Sequence, residues 1–315
     1  MSEAEYALEL PVLGIATRFE TNDDAVARAV DEAFGMWRTL AVESGAVDVT
    51  AELPLTVRVE VVDGSETSFD PDGHASVRYS CPDETRVVVA TTASVAVSDP
   101  LRREAVARVT RGLVEDRMHF RAEILEAVTL ALLSHFDRHP VHAAAVALNG
   151  RAVLLAAPSG TGKSTLAYHC HLAGLDLLGE DHVRVQLEPR LRLWGWPARV
   201  RLLVDDTAFG SSASSDAPKA AIDVRAGISA GRLVADEISV CCLSRDGGPA
   251  TLETLGAAEL ARALDAQLAP GFDRFPKRWP TVREALAARG GWRLNLSANP
   301  RAGVALVQRV LDRLH

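Results

Sequence analysis

The chain has 315 residues, 48% of them apolar, which predicts one large or two ordinary domains with a substantial core. Thirty-four Lys and Arg against 42 Asp and Glu give a formal net charge of −8, which leaves no basic footprint for nucleic acid or an anionic membrane. No apolar stretch reaches the length of a membrane span and the first residues are too acidic for a signal peptide; Cys81, Cys170, Cys241 and Cys242 lack disulfide or zinc spacing, so a cytoplasmic protein with reduced thiols is expected.

Strand-like apolar positions open the chain over 6–10 and 12–19. A helix follows, capped by Asn22 or Asp23, with Val26, Val30, Phe34 and Trp37 at helical spacing. Strands are predicted over 55–62, 75–79, 86–90 and 94–97, separated by turns at Asp63-Gly64, Pro71-Asp72-Gly73 and Cys81-Pro82-Asp83. Asp99-Pro100 then opens a predicted helical region over 99–136, interrupted near 116–119, with Ile124, Leu125, Val128, Leu132 and Leu133 as its apolar stripe. Residues 1–136 thus read as a smaller α+β domain with an antiparallel sheet and a bridging helical region. Its role is unknown, and it carries no motif of recognisable chemistry.

A second domain is expected over 137–315. Residues 141–148 read as one strand, Asn149-Gly150 as a hairpin turn, and 151–157 as the return strand. A helix over 164–173 stops at Gly174, and a buried strand over 175–178 ends at Gly179-Glu180-Asp181. A hairpin of 182–187 and 191–194 turns through Glu188-Pro189. The polar run 210–218 reads as a mobile loop, 238–243 as a strand, and 256–268 and 301–314 as helices. There is no internal repeat.

Between strand and helix lies Ala157-Pro-Ser-Gly-Thr-Gly-Lys-Ser-Thr165. This is the order and spacing of a phosphate-binding loop, in which successive backbone N–H groups form a nest at a helix N-terminus. Ser159, Gly160, Thr161, Gly162, Lys163, Ser164 and Thr165 would bind a nucleotide. Lys163 would reach the β- and γ-phosphates and the Ser164 hydroxyl would ligate Mg²⁺. The consensus begins with Gly, where this chain has Ala157.

Phosphoryl transfer also needs carboxylates to hold the metal and take the acceptor proton. Glu180 and Asp181 end a buried strand 17 positions after Ser164 (164 to 181), at the sheet edge where the loop is expected. One would ligate Mg²⁺ and the other would act as general base. His142 lies on the strand expected to pair with the one feeding the loop. His135, His139 and His142 do not share a helical face, because Pro140 intervenes, so zinc is not expected there. His169 and His171 read as surface or packing residues.

Together these residues, from His142 through about Val185, resemble the catalytic domain of the HPr kinase/phosphorylase family. His142 stands 15 positions before Ala157 (142 to 157), similar to the family's spacing, and Glu180-Asp181 stands where the family has Asp-Asp. The resemblance implies an α/β fold, a P-loop-containing, phosphoenolpyruvate-carboxykinase-like catalytic domain. It implies that Asp181, Glu180, His142 and Lys163 are catalytic, and that Ser164, Glu180 and Asp181 serve the metal. The run Trp194-Gly-Trp-Pro-Ala-Arg-Val-Arg-Leu202 is similar to stand-alone relatives, among them peptide-serine kinases of lasso-peptide and other natural-product clusters. By that likeness Arg199, Arg201 and Lys219 are phosphate contacts. The regulatory enzyme's signature after its carboxylate pair is not recognisable here, which argues against HPr as substrate and against phosphorylase activity.

The expected function is ATP-dependent transfer of the γ-phosphoryl group to a hydroxyl, preferably a serine of a peptide or protein, with a small-molecule hydroxyl as the alternative acceptor. Mg²⁺ is the expected cofactor and ATP the donor, with another nucleotide or pyrophosphate left open, as is the oligomeric state. A nucleotide-dependent switch is the competing class. Asp181 follows Ser164 too soon for the usual layout of such a core. The first domain would present the substrate.

Overall fold

A computed structural model describes residues 4–40, 53–196, 199–203, 219–223, 230–268 and 278–314. It divides into two units, Met1–Phe136 and Asp137–His315. The first holds strands β1 (Tyr6–Val12), β2 (Ile15–Thr21), β3 (Leu55–Val62), β4 (Arg78–Ser80), β5 (Val87–Ala90), β6 (Val95–Asp99) and β7 (Glu104–Thr110) in one sheet, ordered β1-β2-β3-β7-β6-β5-β4. The β2–β3 and β3–β7 pairs are parallel and the others antiparallel, so the sheet is mixed rather than antiparallel as expected.

The β2–β3 pair is parallel because the chain crosses through the helix at Asp24–Phe34 between them, and the β3–β7 pair because β7 lies inside the region expected to be helical over 99–136. Its sequence, Glu-Ala-Val-Ala-Arg-Val-Thr, alternates, burying Ala105, Ala107 and Val109 on one face. That period of two is the strand period. Helix begins only at α2 (Arg111–Glu115), followed by α3 (Arg117–His119), π-helical turns over Phe120–Glu126, and α4 (Ala127–Ser134). Here the expected stripe holds: Ile124, Leu125, Val128, Leu132 and Leu133 are all fully buried. Helix α1 (Asp24–Phe34) starts where Asp23 accepts hydrogen bonds from the N–H groups of Ala25 and Val26, at 2.8 and 3.3 Å. Such a cap contributes about 1 kcal/mol. Val26, Val30 and Phe34 face the sheet, with Phe34 stacked on Phe19 at 4.9 Å.

The second unit contains β8 (His139–His142), β9 (Ala144–Leu148), β10 (Arg151–Ala156), β11 (Asp176–Gly179), β12 (His182–Gln186), β13 (Arg192–Gly195), β14 (Arg199–Leu203), β15 (Lys219–Asp223), β16 (Val234–Ala235), β17 (Glu237–Ser244), β18 (Thr251–Leu255) and β19 (Gly291–Asn295). Its helices are α5 (Lys163–Leu172), α6 (Ala257–Asp265), α7 (Trp279–Ala287) and α8 (Pro300–Leu311). One sheet runs β11-β9-β10-β17-β19-β18, a second runs β16-β13-β12-β8, and β14 pairs with β15. The larger sheet is covered on both faces, as its near-continuous apolar strands require. Val146, Val153 and Leu155 pack with Leu166, Ala167 and Cys170 of α5 and Val307 of α8. The alternate residues Ala145, Ala152 and Leu154 pack with Val183, Val185 and Leu193 of the second sheet and Leu260 and Val282 of α6 and α7. Each fully buried leucine contributes about 2 kcal/mol by leaving water.

The expected single strand over 141–148 is two strands in two sheets. Ala143 separates them, its N–H bonded to the Val141 carbonyl at 3.0 Å. The turn at Asn149-Gly150 is as expected, with φ of 51° and 77°. The run 210–218, read as a mobile loop, lies outside the described residues.

Candidate active site

Strands β10 and β11 both pair antiparallel with β9, so they run parallel to each other. Leu155 stands opposite Ala144, and Gly179 opposite Ala145. The chain therefore leaves both strands at one edge of the sheet, about 10 Å apart, two strand spacings. From β10 it enters the glycine loop. From β11 it enters Glu180-Asp181.

The loop turns through Gly160 at φ 82° and Gly162 at φ 114°, left-handed conformations that glycine adopts without a Cβ clash. A β-carbon on Gly160 would meet nothing within 4 Å, so the backbone there faces open space. Thr161 holds the bend, its hydroxyl donating to the Pro158 carbonyl at 2.9 Å. Helix α5 starts directly at Lys163 with no side chain capping it. Lys163 is buried, its ammonium donating to the Ala157 carbonyl at 2.6 Å. Ser159 is exposed, Ser164 partly open and Thr165 buried. Ala157 is 1% exposed, and its methyl joins the core cluster that contains Leu155 and Leu166. The residue that replaces the consensus glycine thus packs inward, away from the open side of the loop.

The acidic turn arises where the chain changes sheets. β8 leads to β9 through Ala143, and β11 leads to β12 through Glu180 and Asp181. β9 pairs with β11 and β8 with β12, so both strand pairs bend around one corner. His142 stands opposite His182 across the β8–β12 ladder. At this corner His142 Nε2 lies 3.0 Å from Asp181 Oδ1, and His182 Nδ1 lies 3.0 Å from Asp181 Oδ2. The turn is tight: a β-carbon on Gly179 would stand 2.4 Å from the His182 carbonyl oxygen.

Asp181 is half exposed, whereas Glu180 is 7% exposed. Burial pushes the Asp181 carboxyl up, but the hydrogen bonds and electrostatic attraction of His142 and His182 outweigh it. They hold Asp181 well below the usual carboxylate range. The corner therefore presents an ionised carboxylate clamped by two imidazoles. It can accept a hydrogen bond from a hydroxyl or ligate a hard cation.

His182 was not singled out from the sequence, where it reads as the first residue of a hairpin strand. Its position directly after Asp181 was the available signal. Arg184 was also missed: it is 8% exposed, on the same face of β12 as His182, and burial lowers its pKa to about 10. His139 lies 3.0 Å from Asp137, and His135 lies in the first unit. Arg199, Arg201 and Lys219 lie on the β14–β15 pair, with Lys219 opposite Leu203. No helix among the described residues is long and apolar enough to cross a membrane.

No protein-family model matches the sequence, and no curated protein matches it. Among solved structures, the Hpr(Ser) kinase/phosphatase from Coxiella burnetii is similar over 55% of this chain and 96% of that chain, at 14% sequence identity and a TM-score of 0.32.

Proposed function

We propose that this protein is a kinase that transfers the γ-phosphoryl group of ATP to a hydroxyl. The observation that carries the reading is the sheet corner, which delivers the His142–Asp181–His182 cluster to the same edge as the glycine loop. A phosphate cradle alone would suit any nucleotide-binding protein. A clamped carboxylate beside it supports group transfer.

In this reading the backbone N–H groups of 159–165 and the N-terminus of α5 bind the phosphates. Lys163 leaves the Ala157 carbonyl and neutralises charge on the transferring group. Ser164, Glu180 and Asp181 are oxygen donors, the set that Mg²⁺ favours, and would hold that ion. Mg²⁺ would supply further neutralisation of phosphate charge. Asp181 orients the acceptor hydroxyl and takes its proton. Its basicity is low, but a loose phosphoryl-transfer transition state asks chiefly for positioning, and the proton leaves late. His142 and His182 fix the orientation of Asp181. Arg199, Arg201 and Lys219 contact phosphate when the donor is bound.

The acceptor is a serine of a peptide or protein, as the motif resemblance to the HPr-kinase-like serine kinases, including those acting on lasso-peptide precursors, suggests. The first unit presents it. Incubation with γ-labelled ATP and a library of serine peptides, proteins and small hydroxyl compounds tests this. Label on serine is expected, and its loss in Lys163→Ala. Label on small hydroxyl compounds alone would move the acceptor class. ATP binding with transfer to nothing would favour a nucleotide switch.

A further inference from the structure

In the first unit, remote in sequence from the phosphate loop, one potential ligand atom from each of His74, Asp116 and His119 lies within 4.8 Å of the other two. We propose that these residues bind a divalent transition-metal ion of the Zn²⁺ class. Two imidazoles and one carboxylate are a donor set for such ions. Mg²⁺ and Ca²⁺ prefer oxygen alone.

The ligands are held by local structure. His74 closes a tight loop that begins at the bridge between Phe69 and Ala75. Within it Asp70 Oδ1 accepts hydrogen bonds from the N–H groups of Asp72 and His74, at 3.0 and 2.9 Å, and the Asp70 N–H donates to the His74 carbonyl at 2.8 Å. Asp116 precedes the short helix α3, and His119 ends it. The His74 and His119 rings are stacked, 5.0 Å apart and 7° from parallel.

The protonation pattern also suits a metal. His119 Nε2 lies 2.8 Å from the Ala75 carbonyl, which can only accept, so Nε2 carries the proton and Nδ1 keeps its lone pair in the neutral ring. An imidazole whose far nitrogen donates to a backbone carbonyl is the usual outer-shell arrangement of a metal-bound histidine. His74 Nδ1 and Asp116 Oδ2 stand 2.6 Å apart in a hydrogen bond whose place the cation would take. In a tetrahedral site with bonds of about 2.1 Å, ligand atoms lie about 3.4 Å apart, so modest ring rotations close the set. Asp70 and Asp72 add negative charge beside His74. The His74 side chain is 46% exposed and that of Asp116 33%, which gives an ion access and leaves a fourth position to water.

Calorimetric titration of the full, nucleotide-free and tag-free chain with Zn²⁺ and, separately, Mg²⁺ tests the assignment. One Zn²⁺ per chain that depends on His74 is expected, and Mg²⁺ should not displace it. His74→Ala and Asp116→Asn should each weaken Zn²⁺ binding about 10-fold or more. Absent Zn²⁺ binding, or binding unchanged in His74→Ala, would overturn it. His119 also braces the loop, so Co²⁺ substitution of the unaltered protein is the second readout. Visible d–d bands of a nitrogen- and oxygen-ligated ion are expected. A spectrum dominated by thiolate charge transfer would place the ion at the exposed Cys81 and overturn the site.

Discussion

A methyl group on Gly179 would stand 2.4 Å from the His182 carbonyl oxygen and 3.1 Å from the Val183 side chain. The turn that presents Glu180 and Asp181 therefore depends on glycine through close backbone approach, not through left-handed φ. Gly179→Ala should cost about 1–3 kcal/mol, the usual penalty of overpacking. The check is a denaturant midpoint that falls with an unchanged slope. Transfer should fall further than nucleotide affinity, because the carboxylates shift while the loop does not. An unaltered midpoint and activity would contradict this reading of the corner. At this scale the sequence was partly readable. Spacing suggested that His142 and Asp181 serve one site, and the structure brings them to 3.0 Å. The contribution of His182 was hidden, because a histidine opening a strand has no local signature. The substitution at Ala157 was visible in the sequence, but that its methyl is buried in the core was not.

At the scale of elements, the misread segments share a cause. Residues 104–110 lie within the stretch that reads as helical over 99–136, and their alternation is short. Lodged between β3 and β6, they form a strand because tertiary pairing outweighs local preference. The apolar run 141–148 has no sequence break at Ala143, since both halves are buried. Only the packing of two sheets divides it. The long strand over 55–62, the cap at Asp23 and the stripe of 124–133 were legible because period and capping chemistry are local. Another element-level feature carries a pH prediction. Glu66 pins the segment after β3 to the β5–β6 turn and β7. It accepts from Ser94 Oγ at 2.5 Å, Thr92 Oγ1 at 2.9 Å, the Ala93 N–H at 3.0 Å and Thr110 Oγ1 at 2.9 Å. Burial pushes its carboxyl up, but these donors outweigh burial and hold it down to about 2, from 4.5. A lowered folded-state pKa stabilises above the unfolded value, and the stabilisation disappears as pH falls through the folded one. The contribution, about 3 kcal/mol, should be complete above pH 5 and lost between about 4.5 and 2. Unfolding of Glu66→Gln, followed against pH, should show a shallower acid limb there. A limb identical to that of the unsubstituted chain would contradict the assignment.

For the whole molecule, the glycine loop, the acidic corner and both sheets that meet there all fall within Asp137–His315. A chain beginning at Asp137 should therefore retain nucleotide binding, measured by calorimetry. If the first unit presents the acceptor, that chain should lose transfer to its native substrate. A truncated chain with full transfer would remove that role from the first unit. One without nucleotide binding would show that the cradle needs residues before 137. The central claim is that the carboxylate at the sheet corner turns a phosphate cradle into a transfer site. Its most direct test is Asp181→Asn, with nucleotide affinity and γ-phosphoryl transfer measured on the same preparation. Transfer to the acceptor should fall about 100-fold or more, the usual cost of losing a positioned proton acceptor, while affinity for the nucleotide measured without Mg²⁺, which rests on the loop and Lys163, changes little. Undiminished transfer in Asp181→Asn would contradict the account.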